Sequence, residues 1–94
     1  QNKMVPATLA YYGYSASDVC LELTKYNPEE RVVHAIDALV TAIAFARLDT
    51  VSALEALNVP RDKQGLLGIT VTTAKTKRAE VVRKVTSQIN DHKI

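Results

Sequence analysis

The chain has 94 residues, 47% hydrophobic and 23% charged, with a net charge of +2, which is typical of one small globular domain spanning 1–94. Three glycines and three prolines are too few for a turn-dense all-β fold, and no apolar run is long enough to span a membrane. The single Cys20 excludes an internal disulfide and indicates a reducing, intracellular and cytoplasmic setting.

Two short helices are predicted at the amino-terminal end. Residues 5–12 are typical of a short helix or turn that Gly13 ends. Residues 16–26 follow as a second helix, with Ser15 or Ser17 as the capping residue, since either hydroxyl can accept from a free backbone N–H.

A long central helix is predicted over 28–48. Asn27 can cap it, Pro28 suits its first position, and Glu30 can complete a capping box. Apolar residues cover most of its circumference, which indicates a helix buried at the centre of the fold. The same apolar surface is a candidate face for a homodimer.

The pattern changes after this helix. Ser52 and Glu55 match a capping box, so a short helix is predicted to begin at Ser52, before Pro60 breaks the chain. Residues 61–67 are long enough for one or two helical turns, and a further helix is predicted over 72–90. Alternating β-branched residues leave a short strand over 68–72 as a competing interpretation.

The charge of the chain is divided unevenly. Residues 61–94 carry eight lysines and arginines against three acidic residues (net +5), whereas residues 1–60 carry four against seven (net −3). A turn, a threonine cluster and a basic helix follow one another in residues 66–85, LLGITVTTAKTKRAEVVRKV. That order favours a helix that contacts nucleic acid.

Segment 66–85 resembles the recognition helix of helix-turn-helix domains in LuxR-type response regulators and in region 4 of sigma factors. The residues that fit this pattern are Leu67, Gly68, Ile69, Thr70, Thr73, Lys75 and Arg78. The resemblance implies a helix-turn-helix near the carboxyl terminus, with a recognition helix in the major groove of DNA.

The residues expected to bind nucleic acid come from this segment. Threonine side chains are short enough to approach base edges or a phosphate, and lysine and arginine neutralise phosphates. The expected contacts are Thr70, Thr72, Thr73, Lys75, Thr76, Lys77, Arg78, Arg83 and Lys84. The alternative interpretation is an amphipathic helix whose basic face is simply solvated.

Other constellations point away from enzymatic chemistry. Glu30, His34 and Asp37 share one helix face, where they suit either a metal or an acid–base pair, but a polar surface stripe is the favoured interpretation. The chain has no P-loop, CxxC, HExxH or GxSxG motif. We therefore expect no enzyme, no bound metal, no cofactor and no small-molecule substrate.

These observations predict an all-α protein, a compact bundle of about five helices around helix 28–48. The favoured function is a small DNA-binding protein, a transcriptional regulator that binds as a homodimer. The alternative is a helical interaction or assembly module that self-associates or binds an acidic partner.

Overall fold

Six helices form in residues 4–91, the part of the chain that the computed structural model describes. They are α1 (Pro6–Tyr11), α2 (Ala16–Leu23), α3 (Pro28–Ala44), α4 (Leu48–Glu55), α5 (Val71–Thr76) and α6 (Arg78–Asp91). No strand occurs in these residues, so the all-α prediction is confirmed, with one helix more than expected. None of the helices in this range combines the length and the apolar character needed to cross a membrane.

Helix α3 lies at the centre and packs against each of the other five helices. Its start is the one that the sequence predicted, because the Asn27 side chain accepts from the Glu30 N–H at 2.9 Å and Pro28 occupies the first turn. Every residue from Ala38 to Ala44 is buried. The apolar surface that suggested a dimer face is therefore used inside the chain, and Val33 is the one large apolar side chain of α3 left exposed.

Helix α3 ends at Ala44, four residues before the predicted end at 48, because the chain turns there into the left-handed conformation. The Ala46 N–H donates to the carbonyl of Ile43 and the Arg47 N–H to that of Ala42, which is a Schellman motif. Ala46 has φ 56°, a conformation that glycine usually supplies at this position. With no glycine in the sequence here, nothing marked the end of the helix.

We expect Ala46→Gly to stabilise the protein by about 0.5–1 kcal/mol, because glycine adopts positive φ without the steric cost that alanine bears. Ala53→Gly is the matched control inside α4, where the same exchange should destabilise by about 0.5–1 kcal/mol. Urea denaturation of both variants measures the difference. A loss of stability in the Ala46 variant would contradict the assignment of strain to this residue.

Three arginines close the carboxyl ends of three helices, none of which has a basic residue in its own last turn. Arg31 donates to the carbonyl of Leu23, the last residue of α2, at 3.0 Å and to that of Tyr26, just after the helix, at 2.7 Å. Arg47 donates to two carbonyls at the end of α1, and Arg78 donates to one at the end of α3. Cationic donors suit these sites because the free carbonyls carry partial negative charge.

The start of α4 corrects another prediction. The helix begins at Leu48, after Arg47, so Ser52 lies inside the helix and does not cap it. Residues 45–48, which were predicted to continue α3, instead form the corner after α3 and the first residue of α4. Helix α4 ends at Glu55, and its buried residues are Thr50 and Leu54.

Residues 56–70 connect α4 to α5 without a helix, so the prediction of helical turns over 61–67 is wrong. The strand interpretation of 68–72 is wrong as well, since Val71 and Thr72 begin α5. A turn closed by the Gly68 N–H on the Gly65 carbonyl forms there instead, with Gly68 at φ 72°. The short first helix of a helix-turn-helix is absent, and the structure does not confirm that motif.

The connection is held against α3 by close contacts. A Cβ on Gly65 would lie 3.0 Å from a carboxylate oxygen of Asp37 and 3.2 Å from a methyl of Ile36. Burial raises the pKa of the Asp37 carboxyl above its usual range, and the nearby backbone N–H of Leu66 only partly opposes this shift. The charged form of Asp37 is thus disfavoured by folding.

This raised pKa gives a pH prediction. A carboxyl whose folded pKa lies above its unfolded value binds a proton more readily when folded, so its unfavourable contribution is present at neutral pH and disappears in acid. Asp37→Asn keeps the shape of the side chain and one of its oxygens, and removes the charge. We expect its thermal midpoint to exceed that of wild type at neutral pH, with a difference that shrinks as the pH falls to about 4.

Thermal unfolding across this pH range measures the effect, with the exposed loop variant Asp62→Asn as the control. A midpoint of Asp37→Asn below that of wild type at neutral pH would show that the carboxylate stabilises the fold.

The helix predicted over 72–90 is divided in two at Lys77. Helix α5 is rich in threonine, whose branched side chains favour helix weakly, and the Thr76 hydroxyl donates back to the carbonyl of Thr72. Lys77 has φ −117° and ψ 43°, outside the helical range. The break separates the short threonine helix from the basic helix α6, so no single straight helix covers 72–84.

Candidate nucleic-acid interface

Helix α6 presents one face to the core and the opposite face to solvent. Val81, Val85 and Ile89 are at most 6% exposed and pack in the core cluster with residues of α3. They lie four residues apart, so they form one stripe along the helix. Because this stripe is buried, the orientation of the opposite face is determined by packing.

The centre of the outer face of α6 carries Arg83, Ser87 and Asn90. All three are exposed, and their spacing of i, i+4 and i+7 places them on one line opposite the buried stripe. Arginine, serine and asparagine are side chains that read base edges in the major groove. The sequence predicted Arg83 but missed Ser87 and Asn90, although the buried stripe at 81, 85 and 89 was a signal that could have located them.

Two lysines and one acidic residue lie beside this line. Glu80 and Lys84 are exposed on α6, and Lys77 is exposed at the corner that precedes α6. None of the three forms an ion pair with another of residues 4–91. The lysines therefore retain their charge for a ligand, while Glu80 reduces the positive potential between them.

Of the four threonines at the start of α5 and within it, two cap the helix and two are exposed. Thr70 accepts from the Thr73 N–H at 3.1 Å, and the two hydroxyls lie 3.0 Å apart. Both are half-buried and act as the cap of α5, so their hydroxyls are used inside the protein. Thr72 and Thr76 are exposed, but the Thr76 hydroxyl donates to the Thr72 carbonyl.

Lys75 is engaged inside the protein. Its Nζ donates to Oε2 of Glu55 at 2.5 Å, and Arg61 binds the same oxygen at 3.1 Å. The hydrogen bond from Lys75 is the main reason that the pKa of the Glu55 carboxyl lies below its usual range. This pair ties α5 to α4, so Lys75 has a structural partner that the sequence did not reveal.

Arg78 has a structural role too, because its Nε donates to the carbonyl of Ile43 at 3.1 Å. This bond joins the first residue of α6 to the last turn of α3. Arg78 nevertheless remains exposed, and its partner is neutral, so its positive charge is not cancelled. The structure therefore brings Lys77, Arg78, Arg83 and Lys84 onto one helix and its preceding corner.

The polar stripe on α3 does not form a second site. Glu30 is exposed, the ring centroids of His34 and Tyr26 lie 4.1 Å apart, and Asp37 packs beside Gly65. Nδ1 of His34 is buried with no hydrogen-bond partner in the described range. Residues 4–91 contain no group of three or more histidine, cysteine or carboxylate side chains arranged to hold a metal ion.

Comparison with known protein families, with curated proteins and with solved structures found no match to this chain.

Proposed function

We propose that this protein is a non-enzymatic DNA-binding protein, a transcriptional regulator that uses the outer face of α6. The observation that carries the proposal is the exposed line of Arg83, Ser87 and Asn90 opposite a fully packed stripe, with Lys77 and Lys84 beside it. Rigid presentation of base-reading and phosphate-binding side chains on one helix is what recognition in the major groove requires.

In this proposal α6 lies in the major groove of duplex DNA. Its 14 residues extend about 21 Å, and a helix fits a groove about 12 Å wide. Arg83 and Asn90 approach the edges of guanine and adenine, and Lys77 and Lys84 contact neighbouring phosphates. Thr72, which is exposed on α5, adds a further contact in this proposal.

The proposed setting is a reducing intracellular compartment, as the single Cys20 suggested. DNA sites with two-fold symmetry would require a homodimer. The dimer face on α3 remains a prediction, and Val33 is the one large apolar side chain that α3 exposes there. The free surface of α6 does not depend on that dimer.

Fluorescence anisotropy of labelled duplex DNA of mixed sequence, titrated at low and near-physiological salt, tests the proposal. We expect binding that weakens steeply with salt, because lysine and arginine displace counterions from phosphates. No binding even at low salt would overturn the proposal and favour a protein-binding module instead.

Removing the negative charge of Glu80 should strengthen DNA binding. Glu80→Gln removes the one acidic side chain between Lys77 and Lys84, so we expect DNA affinity to rise by up to about fivefold at low salt, the effect of about 1 kcal/mol. Asp18→Asn, at an exposed position on α2, is the charge-matched control and should leave affinity unchanged. Equal gains in both variants would mean that net charge, and not the face of α6, governs binding.

A further inference from the structure

A shallow apolar groove lies where the end of α3 meets the start of α4 and the junction of α5 with α6. Its residues are Ile43, Ala46, Leu48, Val51, Lys75 and Arg78, and its volume is about 290 Å³. Leu48 is 72% exposed, the highest value among the exposed large apolar residues between 4 and 91. A groove of this size is small for a drug-sized ligand but suits apolar side chains of a protein partner.

The rim of this groove is cationic. Lys75 shares Glu55 with Arg61, so one carboxylate faces two cations, and Arg78 bonds only to a neutral carbonyl. Lys75 and Arg78 line the groove and the Glu55 carboxylate balances one of them, which leaves one net positive charge beside the apolar floor. A complementary surface must therefore combine apolar and acidic side chains.

The chain itself carries such a surface on the first turns of α3. Glu29 and Val33 are four residues apart on one face, and Glu30 lies beside them. All three are exposed, with Val33 at 54%, and neither glutamate forms an ion pair with another of residues 4–91. This acidic face belongs to the half of the chain with net charge −3, and the cationic rim to the half with +5.

We propose that the groove of one copy binds the acidic face of a second copy, so that the protein self-associates head to tail. Val33 enters the apolar groove beside Leu48, and Glu29 and Glu30 approach Arg78 and Lys75. The two surfaces are different parts of the chain, so the contact is heterologous and leaves one groove and one acidic face free at the ends of every open chain. This association goes beyond DNA binding and requires no nucleic acid.

The first test is sedimentation equilibrium of the protein, free of nucleic acid, at ionic strengths of about 0.01 M and about 1 M, where the Debye length falls from about 30 Å to about 3 Å. We expect an average mass above that of the monomer that rises with concentration at low salt and falls toward the monomer at high salt. A protein that stays monomeric at low salt at all concentrations would overturn the proposal, leaving the groove to a different partner.

The decisive test is complementation between two variants. Leu48→Glu disables the groove, and Glu29→Lys/Glu30→Lys disables the acidic face, and both changes lie on exposed positions. Each variant alone should be monomeric at low salt. Their equimolar mixture should form a dimer of one copy each and nothing larger, since only one intact groove and one intact acidic face remain to meet.

Two controls keep this result interpretable. Circular dichroism of each variant establishes that the helices remain, and Leu48→Gln with Glu29→Gln/Glu30→Gln repeats the mixture if either charged variant unfolds. Leu21→Glu makes the same change at a different exposed leucine, on α2, and this variant should self-associate like wild type. A mixture that stays monomeric, or single variants that associate as wild type does, would overturn the proposal.

Discussion

The double variant Lys77→Gln/Lys84→Gln should lose DNA affinity by up to about 30-fold at low salt, because two surface charges worth up to about 1 kcal/mol each are removed. Both lysines are exposed beside the outer face of α6 and have no carboxylate partner among residues 4–91. If each contacts one phosphate, the slope of log affinity against log salt should fall by about 2. Anisotropy titrations at several salt concentrations measure both quantities.

Lys25→Gln/Lys63→Gln is the matched control for this experiment. These lysines are exposed too, but they lie outside α5 and α6, so the same loss of charge should change affinity much less. Equal losses in the two double variants would show that binding depends on total charge and would contradict the assignment of the interface to α6.

The largest effect on stability is expected from Arg47→Ala. Nη2 of Arg47 donates to the Tyr11 carbonyl at 2.9 Å, and Nε donates to the Ala10 carbonyl at 3.3 Å. Both bonds are partly buried and involve a charged donor, so their loss should cost about 2 kcal/mol. For a domain of this size that is a fall of roughly 10 °C in the midpoint of thermal unfolding.

Arg61→Ala is the control for Arg47, because its one ion pair, to Glu55, is on the surface and should be worth less than about 1 kcal/mol. Thermal unfolding of the two variants, followed by circular dichroism, gives the comparison. A midpoint for Arg47→Ala within a degree or two of the Arg61 variant would mean that the end of α1 does not depend on this arginine.

Local side-chain chemistry was sufficient to predict how two helices start. Asn27 accepts from the backbone N–H three residues on, as predicted, and Ser15 is the one of the two candidate serines that caps α2. Such caps involve residues close in sequence, so nothing beyond the local chain is needed to recognise them. The apolar circumference of α3 likewise predicted its central position.

Helix ends and loop structure were predicted less well. The end of α3 at Ala44 depends on an alanine in the conformation usual for glycine. Residues 61–67 form no helix, and Gly65 among them lies against Asp37 of α3. In both places, contacts with residues distant in sequence accompany a backbone that local preference would not choose. The periodic pattern of apolar residues along the sequence cannot predict such contacts.

The sequence by itself determined the all-α class, the central buried helix, the main caps and the concentration of positive charge after residue 61, because these follow from composition, periodicity and short-range hydrogen bonds. Only the tertiary structure decided which cations remain free. Lys75 pairs with Glu55 and Arg78 with the end of α3, whereas Lys77, Arg83 and Lys84 face solvent. A charge is free or engaged according to its neighbours in space, and folding alone brings those neighbours together.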